Sequence, residues 1–136
     1  MLDRVKALQA LLALTPAQRA ERVFVLLVAA HSVALGAALA VAPDFTAAFA
    51  GFPKVAPVFF ARQAGAFHLA LAAGYLIEHF RHRSVRFLVA VKVIATAFLL
   101  GATLAGGVPW SVPFSAAADA AMGALAWWLH RRAARG

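Results

Sequence analysis

The stretch Val55 to Phe80 is apolar and long, yet it carries Arg62, Gln63, His68, Glu78 and His79. Three further ionisable residues, His31, Lys92 and Asp119, fall inside other apolar runs. Ionisable groups are costly in lipid, so each needs a partner or a task. Two histidines at one depth on neighbouring helices could ligate a haem axially or hydrogen-bond a quinone headgroup. A buried arginine needs an acid, and Arg62 with Gln63 could otherwise hold an anionic or carbonyl-bearing ligand. The structural alternative is that these groups only link helices.

The composition says what must position them. The 136 residues are 64% hydrophobic and 13% charged, and the mean hydropathy is +0.82. Soluble domains are about 45–50% apolar and about 25% charged, so this is a membrane composition. Four spans of roughly 20 residues each use most of the length. The expected fold is all-α, an integral membrane four-helix bundle with spans near 21–42, 55–80, 85–105 and 111–130 of domain 15–136. Residues 1–14 read as a short amphipathic helix in the interface, with Leu2, Val5, Leu8 and Leu12 near one face. A signal peptide competes, but Asp3 and Gln9 interrupt it and no clean small-residue cleavage site follows.

Thr15, Pro16 and Gln18 form a capping-box start for the first span. Pro43 ends that span, and Phe45, Phe49 and Phe52 read as aromatic anchors of an interfacial segment before Gly51 and Pro53 break it. Arg81, His82, Arg83 and Arg86 make a tight basic loop, and Gly106 to Pro113 a turn-rich link holding Trp110.

The net charge of +8 comes from basic residues at the ends of apolar segments. Arg4, Lys6, Arg19, Arg22, Arg81, Arg83, Arg86, Arg131, Arg132 and Arg135 fall on one side and Lys54 alone in a loop on the other. The positive-inside rule then puts both termini in the cytoplasm. Such clustering contacts anionic lipid rather than nucleic acid. With no cysteine, disulfides, thiolate metal sites and cysteine nucleophiles are excluded.

That topology lets depths be compared at about 1.5 Å per residue. His31 and His68 match near mid-membrane, Arg62 and Asp119 match nearer the outside, and Glu78 and Lys92 sit near the inner ends. Ion pairs Arg62–Asp119 and Glu78–Lys92 are therefore expected, and Arg62, Gln63, His68 and Asp119 form the candidate ligand site. The small residues around His68, Gly65 among them, leave room for a haem but equally suit tight packing. His79, His82 and His130 lie at the inner interface, and their spacing makes no metal site.

Gly36, Leu39 and Pro43 before a short aromatic loop, then Arg62, Gly65, Gly74 and Tyr75, and finally Asp119 resemble the DoxX-like group of small bacterial four-helix membrane proteins. The resemblance covers most of the chain from about residue 25 and rests on short motifs. It implies a bundle in the bacterial inner membrane, and some relatives are membrane subunits of quinone-linked oxidoreductase systems. Arg62, Gly65 and Asp119 are the positions it picks out. His31 and His68 lie outside its pattern.

Beside a purely structural bundle that stabilises a larger complex, with the Arg62–Asp119 pair only holding the fold, three functions follow as expectations. The first is an accessory membrane subunit of a larger complex, handling a quinone and partnered by lipid and by another subunit or a second copy. The second is a b-type haem protein with His31 and His68 as axial ligands. The third is a small oligomeric transporter using the buried charges.

Overall fold

The computed structural model describes residues 14–135, so the amphipathic helix and the signal peptide read over residues 1–14 lie outside the described residues, apart from Leu14 itself. Among the described residues every regular element is helical: α1 Pro16–Val41, α2 Pro43–Phe49, α3 Val58–His82, α4 Arg86–Ala105 and α5 Ser111–Ala133.

Local chemistry sets most boundaries. Thr15 Oγ1 accepts from the Gln18 amide at 3.2 Å, and the Thr15 amide donates to Gln18 Oε1 at 3.0 Å. This closes the capping box, with Pro16 contributing its fixed φ at the first helical position. Pro43 cannot continue α1 and instead opens α2. Arg83 closes α3 in the left-handed region, φ 48° and ψ 42°, a conformation that usually favours glycine or asparagine.

Val85, the N-cap residue of α4, makes no side-chain cap, and the Arg86 amide donates to Ser84 Oγ at 3.2 Å. The Glu78 carboxylate caps the next amides from across the loop, accepting from the Phe87 amide at 2.9 and 3.0 Å and from the Leu88 amide at 3.4 Å. A carboxylate there satisfies orphan donors and complements the positive end of the helix dipole. Glu78 is thus committed to backbone and does not pair with Lys92, as its depth had suggested.

The four long helices pack around an unequal ring. α1 lies mainly against α3, α4 against α5, and α1 also against α5, whereas α3 and α4 touch sparingly and α3 and α5 do not pack on one another. The α1–α3 crossing is backbone on backbone. A Cβ on Gly65 would stand 2.6 Å from the Gly36 carbonyl oxygen, and one on Gly36 would stand 2.8 Å from the Gly65 oxygen. Small residues at such a crossing permit the approach. Val25, Val28, Tyr75, Val85, Leu88 and Ala126 form the apolar core.

Two helices, Pro16–Val41 and Arg86–Ala105, are long and apolar enough to cross a membrane. α3 and α5 match them in length, but Arg62, Gln63, His68, Glu78 and His79 interrupt one, and Asp119 with the terminal His130, Arg131 and Arg132 the other. Large apolar side chains nonetheless cover the outside of all four, including Phe59, Phe67 and Ile77 on α3 and Phe114 and Leu125 on α5.

Candidate functional site

One group of buried polar residues lies between α4 and α5. Lys92 is 5% exposed, and its Nζ lies 2.5 Å from Asp119 Oδ1. A buried ammonium is tolerable only with such a partner. Gly123, one turn beyond Asp119, gives the lysine stem its passage: a Cβ there would come within 3.1 Å of Lys92 Cβ. One turn further along α4, Thr96 Oγ1 is buried with no hydrogen-bond partner among the described residues.

These groups border a cleft of about 580 Å³ between α4 and α5, with walls that include Val89, Val93, Ala97, Ala120 and Trp127. That volume is within the roughly 300–1,000 Å³ of small-molecule sites, and an apolar wall with a few polar groups is their usual chemistry. Lys92 and Thr96 can donate to a carbonyl or phenolic oxygen, and Asp119 can accept.

His68 is half-buried on α3. Its Nδ1 lacks a hydrogen-bond partner among the described residues, and Lys92, Asp119 and His31 lie within electrostatic reach. It joins the central group from the far side. Arg62 and Gln63 do not. Arg62 and Gln63 are exposed, and Arg62 sits on the helix diagonal to the one bearing Asp119, so the expected Arg62–Asp119 pair does not form and Lys92 takes the acid.

His31 is exposed as well. The inward stripe of α1 runs Glu21, Val25, Val28, Ser32 and Gly36, and a residue adjacent to Ser32 points about 100° away from it on a helix of 3.6 residues per turn. A haem strung between His31 and His68 does not fit: one ligand faces outward, and the helices that carry them are in backbone contact at Gly36 and Gly65. Among the described residues, no three His, Asp or Glu side chains converge as metal ligands.

A second polar cluster, at the end of the bundle holding the start of α1 and the end of α5, is absent from the expected site. Glu21 is 7% exposed and its Oε1 lies 2.7 Å from His130 Nδ1 and 3.9 Å from His79 Nδ1. The signal was available: Glu21 lies four residues before Val25, on the buried stripe. Thr96, too, lies four residues from Lys92, on the same helix face.

No family model, curated protein or solved structure matches this chain.

Proposed function

We propose that this chain is a four-span helical protein of the bacterial inner membrane, both termini cytoplasmic, acting as a membrane subunit that holds a quinone-type amphiphile between α4 and α5. The observation that carries the ligand reading is the buried Lys92–Asp119 pair beside an apolar cleft whose Thr96 hydroxyl has no hydrogen-bond partner among the described residues. Lys92 and Thr96 provide donors for a carbonyl oxygen. Asp119 orients the Lys92 side chain through their ion pair, and the apolar walls receive a ring and its hydrocarbon tail. A bound quinone would supply two-electron redox chemistry, which no side chain of this chain can supply alone.

The apolar exterior supports the four spans. Phe45, Phe59, Phe67, Phe98 and Phe114 each exceed 60% exposure, a surface that favours association in water but suits contact with lipid. The one-sided basic residues support the orientation, and the DoxX-like motifs support both the membrane and the quinone-linked setting.

Trp127 lines the cleft and reports on it directly. A variant with Trp110→Phe and Trp128→Phe, reconstituted in nanodiscs, is titrated with a short-chain quinone while its emission is followed. Saturable quenching that weakens at least tenfold with Thr96→Val, about 1.4 kcal/mol, is expected. Unsaturable quenching, or identical affinity in Thr96→Val and Lys92→Met, would remove the quinone reading.

A further inference from the structure

The Glu21 cluster opens on a second cleft, of about 340 Å³, walled by residues of α1, α3 and α5. His130 and His79 approach the same oxygen of Glu21, and the other oxygen accepts no hydrogen bond among the described residues. Arg22 and Arg83 line the same cleft and form no ion pair with a carboxylate among the described residues. The Arg22 guanidinium lies over the Phe80 ring, 4.8 Å from its centroid. Stacking of this kind fixes the plane of the fork and leaves its N–H edges for an oxyanion. Leu14, Phe80 and Ala133 add apolar wall.

We propose that this cleft binds a phosphoethanolamine head, a phosphodiester joined by a short carbon bridge to a primary ammonium. Arg22 and Arg83 take the phosphate and Glu21 takes the ammonium, while His130 holds the carboxylate in place. A ligand with phosphate alone meets the buried carboxylate with nothing to offset it, which disfavours a simple anion. A quaternary ammonium has no N–H to donate to Glu21. A primary ammonium satisfies both ends.

The same head is offered by a phospholipid of the adjoining leaflet or by a soluble glycerophosphodiester. The lipid source rests on the membrane reading above; the soluble source does not. Native mass spectrometry of the full chain, released from micelles of equimolar phosphatidylethanolamine, phosphatidylglycerol and phosphatidylcholine, tests the site. Retention of phosphatidylethanolamine at least tenfold above the other two is expected. Arg83→Gln lowers all phospholipid adducts, and Glu21→Gln equalises phosphatidylethanolamine and phosphatidylglycerol. Since Glu21→Gln could also unfold the bundle end, a series of N-methylated phosphatidylethanolamines on the unaltered protein gives the same answer, with adducts falling at each methyl added. Equal retention of the methyl series, or phosphatidylglycerol retained above phosphatidylethanolamine, overturns the proposal. Displacement of the lipid adduct by glycerophosphoethanolamine identifies the head as sufficient; persistence of the adduct against it identifies the lipid as the source.

Discussion

Lys92 on α4 and Asp119 on α5 form an ion pair 2.5 Å long, with side chains only 7% and 16% exposed. Their contact spans 27 positions of sequence and joins the two helices that line the larger cleft. Removing one partner strands a buried charge, which typically costs about 3–5 kcal/mol. Asp119→Leu and Lys92→Met are each expected to destabilise the bundle by that order in chemical unfolding from detergent micelles. The double variant recovers most of the loss, since apolar replacement of a whole pair is often neutral. A double variant as unstable as the sum of the two singles would contradict the pairing.

Arg62 serves as the contrast. It is exposed and has no carboxylate partner among the described residues. Arg62→Gln is therefore expected to change stability by less than about 0.5 kcal/mol. A loss comparable to that of Lys92→Met, measured in the same unfolding assay, would restore the Arg62–Asp119 pairing that depth alone suggests.

The glycines of the bundle divide by what surrounds them. A methyl on Gly65 meets the Gly36 oxygen at 2.6 Å and the Ala40 amide nitrogen at 2.9 Å, both backbone atoms that cannot rotate aside. Gly65→Ala should cost about 1–3 kcal/mol by overpacking. Gly101 has nothing within 4 Å of the same position and lies inside α4, so Gly101→Ala should stabilise by about 0.5–1 kcal/mol. Thermal midpoints in detergent shifting in opposite directions check the pair of predictions.

Glu78 caps a helix that it does not belong to. Glu78→Ala should cost about 1–2 kcal/mol, as loss of an N-terminal cap does, and Glu78→Gln should keep part of that because its oxygen still accepts. Amide hydrogen exchange at Phe87 and Leu88 locates the effect. Unchanged protection there in Glu78→Ala would show that the carboxylate is not what holds the first turn of α4.

The chain has no cysteine, so single-cysteine variants report sidedness without background. In the proposed topology, Lys54→Cys reacts with an impermeant maleimide in intact cells, and Ser84→Cys reacts only after the inner membrane is opened. Both reacting from the same side would remove the four-span arrangement.

Much of the architecture was legible in one dimension. Helical segments follow from apolar runs bounded by proline, glycine and basic residues, and the Thr15–Gln18 capping box is a local bond pattern that sequence spacing alone dictates. The close packing of small residues near His68 was equally readable, and Gly65 against Gly36 realises it. Depth along a helix is also a one-dimensional quantity, at about 1.5 Å per residue, and it singled out Lys92 and Asp119, though each with another partner.

Which of them meet was decided only by the tertiary structure. Depth matched Asp119 to Arg62 and Lys92 to Glu78, but α3 and α5 stand diagonal while α4 lies against α5, so Lys92 reaches Asp119 and Glu78 is left to cap α4. Rotation decided the rest: Ser32 takes the inward position that His31 would need, and Glu21 turns in toward His130. Adjacency and rotation are set by the summed packing of every helix face, above all by backbone contact at Gly36 and Gly65. No single segment of the sequence contains that sum.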